Sequence, residues 1–229
     1  MNRLVSLSLV ALLLASDITW GQVNGNSEFS VYQVDAEGSD IRLMIHRAGA
    51  LSWLGHSHVV SVGQLDGTIY VHPNLERSHF ELVIPVQGLI VDDPLLRRQE
   101  GDEFSTRLSE SDIAGTRSNM LGKRVLDAQR YPIVRLTGTG PIGDGPEFML
   151  GFSMQVLGNV VEMRIPLNLR LDGNRLEATG AFQLSHSNLG MRPFSRMLGA
   201  LRVADELNFK FRIRALRIQT KQGISEDGY

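Results

Sequence analysis

Cysteine is absent from all 229 residues. Its absence excludes a disulfide scaffold, thiolate chemistry and a lipid anchor on an N-terminal cysteine, so the fold must stand on an apolar core. A large excess of charge of either sign is missing as well. The formal net charge is -2, which gives no electrostatic reason to bind a polyanion, and no nucleic acid is expected as a partner. There is no glycine-rich phosphate loop and no Gly-x-Ser-x-Gly elbow, the signatures of a nucleotide site or an acyl-enzyme. The N-terminal apolar run, Leu4 to Ala15, is too short to span a bilayer comfortably.

That run, behind Arg3, has the charge and length of a secretory signal. Thr19 and Gly21 are small residues where a signal peptidase cuts. Residues 1–21 are therefore expected to be removed and 22–229 to form a single domain, periplasmic or secreted. With 42% hydrophobic residues, such a chain is long enough to bury a core without disulfides.

Most of what remains has the period of β-structure. Phe29 to Val34 and Ile41 to Ile45 alternate, with Ile41, Leu43 and Ile45 on one face. Val59 to Val71 changes parity near Gly63, which predicts a bulge or sharp bend. Phe80, Leu82, Ile84 and Val86 share a face of a strand that Asp92-Asp93-Pro94 ends, and Leu95 to Arg107 reads as charged and irregular. Ser109 and Asp112 make a capping box ahead of Ile113, Met120, Leu121 and Val125 at helical spacing. Pro132 closes the helical option and biases Tyr131 toward extended geometry, so strand is expected from Ile133.

Further strands are expected at about 133–139, 148–156, 160–171, 176–184 and 203–218, with Asp172-Gly173-Asn174 as a hairpin turn. Two carry the clearest alternation. Val161, Met163, Ile165, Leu167, Leu169 and Leu171 interleave with Glu162, Arg164, Asn168 and Arg170; Leu207, Phe209, Phe211 and Ile213 interleave with Asn208, Lys210, Arg212 and Arg214. Charges on the outer face would be stranded in lipid, so an outer-membrane barrel does not fit. The expected fold is all-β with one inserted helix, an extended antiparallel lipocalin-like β-barrel of about eight strands with its apolar face inward.

A barrel of that size either fills with its own side chains or holds one elongated ligand, and periodicity leaves both open. The inward set is Phe80, Leu82, Ile84, Val86, Phe148, Leu150, Phe152, Met154, Met163, Ile165, Leu167, Leu169, Phe182, Leu184, Phe209 and Phe211. An empty slot lined this way would stay dry and select a hydrocarbon chain.

Two segments bear on that choice. Val125-Leu126-Asp127 followed by Arg130-Tyr131-Pro132-Ile133 resembles the helix-to-strand handover of the YceI-like family of periplasmic proteins. Gly180-Ala181-Phe182-Gln183-Leu184-Ser185-His186-Ser187-Asn188-Leu189-Gly190-Met191 resembles its late strand running into a glycine-containing loop. The resemblance spans roughly Phe29 to Leu216. It implies a lipocalin-like barrel that encloses an isoprenoid or fatty-acyl lipid, a binding protein and not an enzyme, with no cofactor. On that implication the ligand-binding wall comprises Phe80, Leu82, Ile84, Val86, Leu150, Phe152, Met163, Ile165, Leu167, Leu169, Phe182, Leu184, Phe209 and Phe211.

Histidines supply the alternative. His56-Ser57-His58 puts two imidazoles on one face of an extended segment, and His186 ends a strand with inward parity. Brought together, with Asp92 or Asp93 adding an oxygen ligand, they would make a zinc-type centre of a metal-binding protein or metal-dependent enzyme. The plainer reading is that His56 and His58 satisfy backbone groups in a turn and His186 caps the barrel mouth. The paired histidines depart from the family pattern, which leaves headgroup recognition open for all three. Ser185-His186-Ser187 is no nucleophile and base pair, because neighbours in a strand face opposite ways. Arg212, Arg214 and Arg217 read as a solvated face with scope for transient contact with a membrane surface. Nothing in the sequence sets an oligomeric state.

Overall fold

The structure, a computed structural model, describes residues 28–143 and 147–218; the expected signal segment lies outside them. The strands are β1 (Ser30–Val34), β2 (Asp40–Ala48), β3 (His58–Val62), β4 (Asp66–Val71), β5 (His79–Pro85), β6 (Leu89–Val91), β7 (Ile133–Thr139), β8 (Phe148–Val156), β9 (Asn159–Asp172), β10 (Arg175–Ser185), β11 (Ser195–Arg196) and β12 (Leu201–Arg217). Two helices, α1 (Pro94–Gln99) and α2 (Glu110–Leu121), lie between β6 and β7.

Antiparallel pairing runs β1-β4-β5-β7-β8-β9-β10-β12, and β12 closes back on β1. The result is an eight-stave barrel. Closure leaves no open edge along the ring. β12 is long enough to pair with β2 over Arg202–Arg212 and with β1 over Ala215–Arg217, so β1 and β2 are two halves of one stave. β4 with β3, and β5 with β6, are broken in the same way. The break between β3 and β4 falls at Gly63, where the parity change predicts it; the Gly63 amide donates to the Gly88 carbonyl at 3.0 Å, tying it to the neighbouring break. Val60 and Val62 before the break and Ile69 after it all face the interior. Outside, Glu162, Arg164, Arg170, Arg212 and Arg214 are exposed, a face that a lipid-facing barrel band excludes.

α2 begins where the capping box puts it: the Asp112 amide donates to Ser109 Oγ at 3.1 Å, and the Ser109 amide to Asp112 Oδ2 at 3.2 Å. The helix stops at Leu121, so Val125 lies beyond it. In the turn that follows, Asp127 takes φ 40°, the Leu126 amide donates to the Met120 carbonyl and the Ala128 amide to the Leu121 carbonyl, both at 3.0 Å. Leu126 and Ala128 are thereby buried with Val86, and Pro132 delivers the chain to β7. No residue of α2 itself is buried; Met120 and Leu121 pack against that cluster, and Ile113 takes no part in it.

Leu95 to Arg107 is not wholly irregular: the six-residue α1 overlaps it, beside α2 as the main inserted helix. The Asp93 carboxylate caps α1 by accepting from the Leu95 and Leu96 amides at 2.8 and 3.0 Å. α1 escapes the periodicity because it is held by charge. Arg97 donates to the Ser57 carbonyl at 2.7 Å and pairs with Asp92; Glu100 at its end bonds Arg42 of β2 at 2.7 Å and Lys210 of β12 at 2.6 Å.

Candidate functional site: an apolar cavity in the barrel

The barrel is filled at one end and hollow over the rest. Tyr32, Val34, Leu82, Leu176, Ile213 and Ala215 plug the first end. Beyond them is a cavity of about 240 Å³, against the ~10–15 Å³ that one water requires. Its wall takes Leu207, Phe209, Phe211 and Ile213 from β12, a span of roughly 20 Å at ~3.3 Å per residue. Met120, Val125 and Leu126 from the α2 region and Leu189 and Met191 from the loop after β10 line the opposite end.

Aromatic rings shape the slot. Phe182 stacks on Phe209 with centroids 4.7 Å apart and meets Phe152 edge-on at 6.1 Å. Phe80 and Phe211 lie across the strands at Gly138 and Gly180, where an added Cβ would come within 2.5 Å and 2.7 Å of their ring carbons. Glycine is thus required at both positions for the rings to lie flat along the wall.

Among the described residues, every side chain lining the cavity is apolar except His186. Its ring is 6% exposed, and Nδ1 lies 3.0 Å from the Asp205 carbonyl oxygen. A carbonyl only accepts, so Nδ1 is the donor in this contact.

Of the expected wall, Phe80, Leu82, Ile84, Leu150, Phe152, Ile165, Leu167, Phe182, Phe209 and Phe211 line the cavity. Val86, Met163, Leu169 and Leu184 do not. Val86 sits in the turn between β5 and β6 and packs on Leu126 and Ala128. Leu169 packs on the filled end, and Met163 and Leu184 pack on the inward face beside their cross-strand partners Phe152 and Leu207. Val134, Leu136, Met154, Val156 and Leu207 belong to the wall, as do Ile41, Leu43 and Ile45 of β2. Alternation in β2 and β7 carried that signal; the exposed, apolar Ile133 obscured it in β7.

The three histidines do not assemble a metal centre. Among the described residues no group of three His, Cys, Asp or Glu side chains is placed to hold an ion. His58 instead engages Asp92 at 2.6 Å (Nδ1 to Oδ2), outside the cavity, while His186 lines it and His56 stands in the loop before β3. Asp92 is fully buried. Burial alone would raise its carboxyl, but the hydrogen bond and charge of His58, the Val59 amide and Arg97 together hold it below the usual carboxylate range. Ser57 and Glu103 extend the network, with the Arg47 amide donating to Ser57 Oγ at 3.0 Å and His46 lying 2.9 Å from Glu103. This lattice fastens α1 to the barrel.

No family model and no curated protein matches the chain. Solved structures do. BcnA of Burkholderia cenocepacia superposes with a TM-score of 0.58 at 14% identity, over 79% of this chain and 98% of that one. A polyisoprenoid-binding domain from Saccharophagus degradans gives 0.55 at 11% identity, over 82% and 98%. The YceI protein of Campylobacter jejuni gives 0.50 at 8% identity, over 70% and 85%. At these identities the likeness is one of fold, and the barrel of this chain is thus a fold that it has in common with BcnA, the polyisoprenoid-binding domain and the YceI protein.

Proposed function

We propose that the protein is a YceI-like exported carrier that encloses one elongated apolar ligand, an isoprenoid or fatty-acyl lipid, in the barrel. The observation that carries this reading is the slot of roughly 20 Å whose wall, among the described residues, is apolar apart from His186. Burying a chain there contributes ~0.8 kcal/mol per methylene, so affinity needs few polar contacts. His186 suits a ligand with a polar terminus: with Nδ1 donating, Nε2 of a neutral ring accepts from a hydroxyl. Met154, Met120 and Met191 line the slot with flexible side chains that adjust to a floppy chain. The reading is of a binding protein, which the apolar lining among the described residues supports. Arg3 and the Leu4 to Ala15 run support export with cleavage after Gly21.

The experiment is purification from the exported fraction, solvent extraction and mass spectrometry of what remains bound. A stoichiometric long-chain lipid is expected, on a chain beginning at Gln22. Protein that carries none, and binds no long-chain probe when offered it, would remove the proposal.

A further inference from the structure

We propose that two loops at the His186 end of the barrel form a tip that docks on an anionic lipid bilayer. The β2–β3 loop presents Trp53, 69% exposed, and Leu54; the β11–β12 turn presents Met197, 63% exposed, and Leu198, fully exposed. Other exposed apolar residues, such as Val160 and Leu95, lie on separate elements and need no explanation. These four converge on one place. The Leu51 amide donates to the Ala200 carbonyl at 2.8 Å, and an added Cβ at Gly49 or Gly55 would strike Ala200 or Leu201, so the loops are locked side by side.

The geometry presents apolar groups to solvent instead of hiding them. Met197 and Leu198 hold φ at 51° and 54°, the left-handed region that side-chain-bearing residues avoid. A strained turn that ends on an uncovered leucine gains nothing within the fold, and such strain gathers where a segment has a use. Tryptophan with aliphatic neighbours is the composition that partitions into the headgroup boundary of a bilayer.

Charge selects the kind of surface. From Arg47 to His58 and from Leu189 to Ala204 there is no Asp or Glu, whereas Arg47, Arg192 and Arg202 are exposed there. Carboxylates beside the tip are occupied: Asp205 accepts from Ser187 and Glu206 from Gln183, while Glu103, which accepts from Ser57, also faces Arg47, and Asp112 faces His56, so Arg192 and Arg202 carry the basic character. Basic residues around apolar tips complement anionic headgroups. Both loops also leave the barrel where ligand would enter, for Ile45 and Met191 line the cavity just before the chain departs into them. This role rests on the carrier reading and supplies its route: lipid passes between bilayer and slot without crossing bulk water.

The test uses the exported protein made from a Trp20→Phe chain, so that Trp53 is its only tryptophan whether or not residues 1–21 are removed. Vesicles of phosphatidylglycerol and phosphatidylethanolamine should shift Trp53 emission to the blue, and vesicles of phosphatidylcholine should do so weakly. Trp53→Ser with Leu198→Ser, followed by sedimentation, should lose at least tenfold in partitioning. Arg192→Ser and Arg202→Ser should cost about fivefold each at low salt, matching about 1 kcal/mol per basic residue at an anionic surface. Folded loop variants that sediment like the parent, or a parent that ignores anionic vesicles, overturn the proposal. Retinol affinity is measured on the same proteins, because none of these residues lines the slot. Docking by a protein that binds no retinol and holds no lipid supports the tip and refutes the carrier reading alone; retinol binding without docking does the reverse.

Discussion

Leu167→Glu tests the cavity most directly. Leu167 is 3% exposed and lines the slot, where no side chain but His186 is polar. In the empty variant, water entering the slot can solvate the new carboxylate near its ordinary value of about 4.3. A hydrocarbon ligand displaces that water, and an unpaired carboxylate in an apolar wall must then be neutral. Taking up the proton at pH 7 costs 2.7 units at ~1.36 kcal/mol each, or about 3.7 kcal/mol, a loss of roughly 500-fold. At pH 4.5 the same cost falls to about 0.6 kcal/mol. Retinol, an isoprenoid alcohol with its own fluorescence, reports the dissociation constant, with Leu167→Gln as the neutral control and the wild type measured at each pH. Affinity should collapse at pH 7 in Leu167→Glu, recover most of the way at pH 4.5, and show no such recovery in Leu167→Gln. A folded Leu167→Glu protein with wild-type affinity at pH 7, or with a loss indifferent to pH, would refute the idea that ligand occupies this slot.

Three further outcomes follow from the same geometry. Asp92→Ala leaves Arg97 buried without its carboxylate and should destabilise the fold by ~3–5 kcal/mol in chemical denaturation; a change under about 0.5 kcal/mol would show that α1 is held by something else. Because the folded-state value of Asp92 is depressed, its contribution is present above the unfolded value of about 3.9 and is lost as pH falls through the folded one. The stability gap between wild type and Asp92→Asn should therefore be flat above about pH 5 and narrow below about pH 4, and a gap that widens in acid would contradict the assignment. His186→Leu should reduce the preference for a long-chain alcohol over the alkane of equal length by ~0.5–1.5 kcal/mol, the net value of a hydrogen bond, and an unchanged preference in competition titrations would exclude His186 from contact with the polar terminus.

The legible parts of the fold were those built on strict alternation or on local backbone rules. The inward parity of β9 and β12, the break at Gly63, the Ser109–Asp112 box and the strand after Pro132 all fall where the residues put them. α1 was not legible. Its anchors are Arg97, Glu100 and Asp92, whose partners Ser57, Arg42 and Lys210 lie far away in sequence, so no apolar stripe marks it. The wall was read from the long strands and missed in β2 and β7, although Ile41, Leu43 and Ile45 display the same alternation.

The sequence by itself determined the β-class, the order of elements and which face of each long strand is apolar, because side-chain direction in a strand depends only on residue parity. Parity says inward and nothing about what stands opposite. Only the tertiary structure decided that Leu169 meets the plug of Tyr32, Leu176 and Ile213 while Leu167, two residues earlier, borders open space. It likewise decided that His58 closes on Asp92, whereas His186 faces the slot. Filling and emptiness, like pairing, depend on which staves the closed ring brings across from one another, and that arrangement is set by contacts between residues far apart in the chain.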